Sequence, residues 1–387
     1  MSESAWKSGN AGSAESKGER KMKKTLALVL SFVMLAALLA GCGTAATAPA
    51  ASAAPTAATE TEAGGETRLF TDSAGREVEV PADIRRIIPS GSLAQTFMWP
   101  LAADRLVSTN QAYTAEQLKY IGDRYGALPE TGNLYKNGSQ LNMEEVAALD
   151  AQIIVDFGEP KDSIVEDLDK LQEIMGIPCI FIEGSFTNTA DAYRTLGRLL
   201  NMEAEAEQIA QYIESIMDKT AAVFSKTDKK TLVFCNSSDG LGCIARGTYF
   251  DEIWSYMGVN AAEVPDSQMY GFSTVNMEQL QLWDPEFIFF YSEDAYNSAV
   301  ADPMWSGLSA VKNGKCYTIP SEPINFCFSP SVNRYLGIMW LAELMYPDEF
   351  DWSIKDEIYR YYEMFYHCAL TDELYGELMN TGHSLPG

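Results

Sequence analysis

LNMEEVAALDAQIIVDF (residues 141–157) and VNMEQLQLWDPEFIFFY (residues 275–291) share one local grammar. In each, an asparagine (Asn142 or Asn276) stands where a helix N-cap belongs, and a glutamate (Glu144 or Glu278) follows in the first turn. The short helix then feeds an apolar strand, after Asp150 in one copy and Asp284 in the other. Asn-x-Glu is also ordinary helix-start chemistry, but the matched strand that follows favours two homologous lobes over coincidence. Two copies fall short of the three that a stacked repeat array needs.

Working outward, RLFTDSAGREVEVP (68–81) alternates apolar and polar residues across an Ala74-Gly75 turn and reads as a hairpin. Ile87-Ile88-Pro89 then empties into Ser90-Gly91-Ser92 and an apolar segment from Leu93 towards Trp99. A strand running into a loop and a helix start is where open α/β sheets place ligands. Ile164 to Met175 has the spacing of an amphipathic helix, and Ile177 to Ile182 is a further strand. Strands separated by helices imply a mainly parallel sheet with both faces covered.

Residues 189–226 carry helix-favouring composition with apolar spacings of three and four, predicting one long connecting helix with room for a break near Gly197 to Asn201. The pattern restarts with strands at Lys230 to Cys235, Phe287 to Tyr291 and Lys315 to Pro320. Helices follow over Phe250 to Met257 and Val332 to Met345, with two more after Pro347. The fold class is α/β: two lobes, each a mainly parallel sheet flanked by helices, joined by a long interdomain helix. The expected boundaries are 67–188 for the first lobe, 189–226 for the connector, 227–345 for the second lobe and 346–387 for helices packed on the body.

At the N-terminus, Lys21, Lys23 and Lys24 precede the apolar run TLALVLSFVMLAALLA (25–40), followed by Gly41 and Cys42. A basic segment and a short apolar one ending in small residues form an export signal. The run is about 16 residues, below the 18 or more of a transmembrane span. Leu39-Ala40-Gly41-Cys42 resembles a bacterial lipobox, which makes residues 1–41 a signal peptide and Cys42 the lipid-attachment site. The segment before Met22 has no export logic, which points to Met1 as a start placed too early. Residues 42–66 lack large apolar side chains and form a tether.

The chain has 28 basic and 54 acidic residues among 387, a net charge of −26. Removing residues 1–41 takes six basic and three acidic side chains and leaves 22 − 51 = −29, so the acidic excess belongs to the exported part. That charge excludes a nucleic-acid binder, and Arg85-Arg86 is too short a basic patch to alter this. With 47% hydrophobic residues the chain buries a sizeable core, so disorder is confined to its ends. His367 and His383 are the only histidines, which leaves little for a histidine-rich metal site or a histidine-dependent triad. Neither stands near a suggestive serine or cysteine, Ser90-Gly91-Ser92 is not a nucleophile elbow, and GxGxxG does not occur, so an enzyme is not expected. Cys179, Cys235, Cys243, Cys316, Cys327 and Cys368 have no CxxC spacing and read mostly as buried thiols, with a disulfide between two of them left open.

In this order, FTDSAGREVEVP, the two NME segments, AVKNGKCYTIP and SVNRYLGIMWLAELMYPDEF, with FYHCALTDELYGELM after it, resemble the substrate-binding lipoproteins of ABC importers for iron complexes, haem and cobalamin. The resemblance covers roughly Leu69 to Met379. It implies an exported bacterial lipoprotein held at the membrane by its lipid, facing the extracellular or periplasmic side, working as a monomer with a permease dimer and its cytoplasmic ATPase. Carried over by motif, Glu144 and Glu278 are the permease-docking glutamates, with Glu145 competing for the first role. Two separated carboxylates give orientation and a docking contact that survives release of cargo.

The resemblance places ligand between the lobes. Ser92, Gln95, Glu159, Lys161, Arg246, Tyr249, Tyr270, Phe272, Tyr291, Asn325 and Arg334 are the candidates to face it. Arg246 leads, because its guanidinium suits a carboxylate, catecholate or propionate, although it equally suits an intramolecular ion pair. Tyr270 and Phe272 could stack on a bulky ligand or serve as core aromatics. No intrinsic cofactor or metal site is expected, and a carried metal would arrive already chelated. The implied ligand is a ferric chelate, with haem, a corrinoid or a molybdate-like oxyanion as alternatives and a non-transport sensor as a further role. A helical connector also implies a small closing motion.

Overall fold

The computed structural model describes residues 66–137, 143–267, 270–327 and 331–379. The signal sequence, Cys42, the tether, His383 and the N-cap Asn142 lie outside the described residues. No helix among those described is long and apolar enough to cross a membrane.

The first lobe opens with the expected hairpin, β1 (Thr67–Thr71) antiparallel to β2 (Glu77–Pro81). Asp72 closes its turn, accepting the Ala74 and Arg76 amides at 3.0 and 2.9 Å. β3 (Ile87–Pro89) leads into α1 (Ser92–Ala102), α2 (Ala115–Ile121), α3 (Leu134–Asn137) and α4 (Met143–Ala148). β4 (Ile153–Gly158), α5 (Ile164–Met175) and β5 (Cys179–Glu183) complete a three-stranded parallel sheet in the order β3-β4-β5.

The connector breaks at the end of the 197–201 stretch where the sequence left room for it. It is two helices, α6 (Thr189–Leu200) and α7 (Glu203–Phe224), turned at Asn201. Asn201 takes the left-handed conformation, φ 55°, which asparagine tolerates better than most residues. Gly197 then lets the two helices meet, since a Cβ there would stand 2.5 Å from Cβ of Ala206. Arg194 fastens them by pairing with Glu207 and Glu214, each at 2.7 Å. The 22-residue α7 is the long helix that links the lobes.

The second lobe contains β6 (Thr231–Cys235), β7 (Gly242–Ile244), α8 (Glu252–Met257), β8 (Val259–Asn260), β9 (Phe272–Thr274), α9 (Met277–Trp283) and β10 (Phe287–Phe290). α10 (Glu293–Ala301), α11 (Ser309–Lys312), β11 (Cys316–Thr318) and α12 (Arg334–Met345) follow. Its sheet runs β11-β10-β6-β7-β9 with β8 beside β6; β11, β10, β6 and β8 pair in parallel, and β7 and β9 antiparallel.

Strand alternation places the core. Leu232, Phe234, Phe287 and Phe289 face a cluster that also takes Ile153, Val155, Ile180 and Ile182 of the first lobe. The alternate positions, Val233, Cys235, Ile288 and Phe290, face a second cluster beneath α9 to α11, while Ile154, Cys179 and Phe181 face a third under α5. One apolar layer therefore runs between the lobes, and each lobe has its own outer layer.

α13 (Ile354–Tyr366) and α14 (Asp372–Met379) return to the first lobe. Tyr366 meets Trp99 edge-on at 5.5 Å, Tyr362 meets Tyr120 at 5.8 Å, and Glu377 pairs with Lys119 at 2.8 Å. The chain thus ties its lobes together twice.

Candidate functional site

β3 ends at Pro89, and α1 starts at Ser92 behind an extended Gly91 with no side-chain cap. The first N–H groups of a helix have no intrahelical acceptors, so this turn offers donors to whatever faces it. Facing it is a cavity of about 280 Å³. Ser92, Thr96, Gln111 and Gln117 line it from the first lobe, and Tyr291, Ser321, Asn325 and Ser331 from the second. Tyr291 directly follows β10, and Ser321 and Asn325 lie on the loop after β11, so strand ends of both lobes converge here. Gln117 Nε2 crosses the cleft to donate to Pro323 O at 2.9 Å.

A second cavity, of about 670 Å³, takes Glu159 from the first lobe and Arg246, Thr248, Tyr249, Glu252 and Ser267 from the second. Its charge is mainly acidic. Burial, with the Glu159 carboxylate adding to it, pushes the Tyr249 phenol up to about 12. Burial also raises the Glu252 carboxyl, against the pull of Arg334. Near it lies an aromatic shelf in which Tyr270 stacks on Phe250 at 5.6 Å and Phe272 leans on the same ring at 5.2 Å. Tyr270 and Phe272 are each half exposed.

Of the sequence-derived candidates, Ser92, Tyr291 and Asn325 meet in the first cavity and Glu159, Arg246 and Tyr249 in the second, with Tyr270 and Phe272 beside it. Arg246 enters already engaged: its Nε donates to Asn260 O and its Nη1 pairs with Glu263.

Three candidates stand elsewhere. Gln95 is fully buried, its amide donating to Tyr113 Oη and accepting the Asn110 amide at 2.6 Å. Lys161 lies over the Tyr135 ring and pairs with Asp167 at 2.5 Å, within its own lobe. Arg334 is 2% exposed, held by Glu252 at 2.9 Å and Thr189 Oγ1 at 3.0 Å, with its guanidinium over Phe186. It braces the junction and does not face the cavities.

Thr96, Gln117, Ser321, Thr248 and Glu252 line cavities without having been singled out in the sequence. Gln117 completes a capping box with Thr114, and the same side chain reaches across to Pro323.

Glu278 is exposed in the first turn of α9, behind an Asn276–Gln279 capping box, and Glu144 and Glu145 are exposed in the first turn of α4. The six cysteines from Cys179 on are free thiols, five buried and Cys368 partly so. Among the described residues no group of three or more His, Cys, Asp or Glu could hold a metal ion.

Comparison with known proteins places this geometry. The family model described as "Periplasmic binding protein" matches residues 95–323, more than half of the chain. The Fe(3+)-citrate-binding protein YfmC of Bacillus subtilis is 25% identical over 183 residues, spanning 46% of this chain and 56% of that protein. The molybdate-binding protein MolA of Haemophilus influenzae is 22% identical over 334 residues, 78% of this chain and 92% of the relative. An ABC transporter solute binding protein from Sulfurospirillum deleyianum superposes with a TM-score of 0.70 at 22% identity, covering 80% of this chain and 98% of that one. This chain belongs to the periplasmic binding protein family and is, like the relatives it matches, a binding protein and not an enzyme.

Proposed function

We propose that this protein is the substrate-capturing component of an ABC importer and that its cargo is a small chelated iron compound, handed to a membrane permease. The observation that carries the reading is the pair of cavities lined from both lobes, because a ligand held there is recognised by side chains of both at once. A chelate brings its own metal donors, so the protein need only recognise its shell. The half-exposed Tyr270 and Phe272 suit a bulky organic shell, and the neutral polar lining of the smaller cavity suits its oxygens. In this reading Cys42 carries the lipid that keeps the protein at the cell surface, and Glu144 and Glu278 dock one lobe each on the permease dimer.

A thermal-shift panel on the full chain in mild detergent tests the proposal, using ferric siderophores, ferric citrate, haem, cobinamide and simple divalent ions. A ligand selective for the native state stabilises it by about 2.7 kcal/mol at 100 times its dissociation constant. Saturable stabilisation by an iron chelate is the expected result. Stabilisation by haem or cobinamide alone would move the cargo to a tetrapyrrole, and silence across the panel on folded protein would overturn the reading.

A further inference from the structure

Resting on the importer reading for an oxidising exterior, we infer that Cys235 and Cys243 are joined by a cross-strand disulfide in the exported protein, fixing the strand that leads into one wall of the larger cavity.

Strand register selects the pair. Cys235 on β6 stands directly opposite Cys243 on antiparallel β7. The two backbones turn away from each other. Asn236 N donates to Gly242 O at 2.9 Å, one step beyond the pair, and Cys235 O accepts the Tyr291 amide at 2.9 Å on the β10 side. A non-hydrogen-bonded antiparallel pair of this kind brings its Cα atoms to about 4.5 Å. Disulfides span Cα separations of about 4.4–6.8 Å, so the pair can close without moving either strand. Both side chains also take the same face of the sheet, since both cysteines are fully buried in the cluster beneath α9 to α11.

The other thiols are set apart. Cys316 shares that cluster, but β10 lies between its strand β11 and β6. Two strand spacings are about 9.5 Å, farther than a disulfide bridges. Cys179 faces the outer cluster of the first lobe, and Cys327 and Cys368 belong to or pack against the layer between the lobes.

The bond forms by exchange with an incoming disulfide, of a thiol oxidoreductase or a small molecule. The S–S bond of that donor breaks, the Cys235–Cys243 bond forms, and the donor leaves as two thiols carrying both protons and both electrons. Burial pushes the Cys235 thiol well above its usual range and the Cys243 thiol up to about 11, so the folded chain offers little thiolate for exchange. Closure therefore belongs to folding after export, and the native fold then shields the bond. β7 ends at Ile244, shortly before Arg246, Thr248 and Tyr249 of the larger cavity, so the link holds that wall to the central strand β6.

One tryptic peptide tests this. Cleavage after Lys230 and Arg246 releases TLVFCNSSDGLGCIAR (231–246), which carries both cysteines and no other. Exporting cells are quenched in denaturant with iodoacetamide, and the full chain is purified and digested without reductant. Mass spectrometry should find this peptide unalkylated and lighter by two hydrogens than its dithiol form. Dithiothreitol should convert it to the doubly alkylated form when added in urea, and leave it unchanged when added to native protein. A doubly alkylated peptide from exported protein, or Cys235 or Cys243 joined to any other cysteine, would overturn the inference. If the same preparation is still stabilised by an iron chelate, the importer reading stands; a chain retained in the cytosol with the peptide doubly alkylated would overturn both.

Discussion

Replacing Arg334 by methionine should destabilise the protein most where its environment is driest. The side chain is 2% exposed and bridges Glu252 of the second lobe to Thr189 at the start of α6, with Phe186 under its guanidinium. Removing one partner of a buried ion pair costs about 3–5 kcal/mol, chiefly because the other charge is left behind. Glu252 is 36% exposed on its side chain, so water relieves part of that cost and about 3 kcal/mol at pH 7.5 is expected. Burial already holds the Glu252 carboxyl above its usual range, opposed by Arg334, and removing the arginine raises it further. A carboxyl whose folded pKa is raised stabilises the native state fully below its unfolded pKa, and that stabilisation is lost as pH rises through the folded value. The deficit of Arg334→Met should therefore shrink as pH falls from 7.5 towards 4.5. Adding Glu252→Gln should recover much of it at pH 7.5. Urea unfolding followed by tryptophan fluorescence measures both. A deficit below 1 kcal/mol, or one that neither low pH nor Glu252→Gln reduces, would refute the reasoning.

Gly184→Ala should cost about 1–3 kcal/mol in the same assay, since a Cβ would stand 1.9 Å from the Phe157 ring, which is itself stacked on Phe97 at 3.9 Å. Asn276→Ala removes the cap of α9 and should cost about 1 kcal/mol while leaving ligand titration curves unchanged. Combining Glu144→Ala with Glu278→Ala should abolish uptake of labelled cargo by whole cells while the purified protein binds it as before; lost binding, or normal uptake, would remove these glutamates from docking. Small-angle scattering with and without cargo should give the same radius of gyration within error, because α7 and the returning α13 and α14 both span the lobes. A large contraction would show that these ties yield.

Much of the fold was legible because its strands are buried on both faces and its helices keep a regular apolar spacing. Ile164 to Met175 reads as a helix from its spacing and forms one over those residues. β3 into α1 and β4, β5, β6, β10 and β11 follow the same logic, and the hairpin was legible from its apolar–polar alternation. What was not legible is short or distant. β7 and β9 are as short as β3 and β11 but read Gly-Cys-Ile and Phe-Ser-Thr, without an apolar run to mark them, so Phe272 read only as an aromatic and not as part of an antiparallel edge. The break anticipated between Gly197 and Asn201 falls at Asn201, while the close approach of Ala206 that Gly197 admits could not be read. At the site, residue type singled out Arg246 and Arg334, but their carboxylate partners lie 17 and 82 residues away. Neutral side chains such as Thr96 and Gln117 carry no chemical flag in a sequence, although they line the cleft.

Hydrogen–deuterium exchange on the full chain, with and without a saturating ligand from the panel, tests most directly whether cargo is held between the lobes. Protection should appear together at the start of α1, residues 91–96, and on the loop 321–327, because both line one cavity from opposite sides. Protection confined to one lobe, or centred away from both segments, would contradict the account.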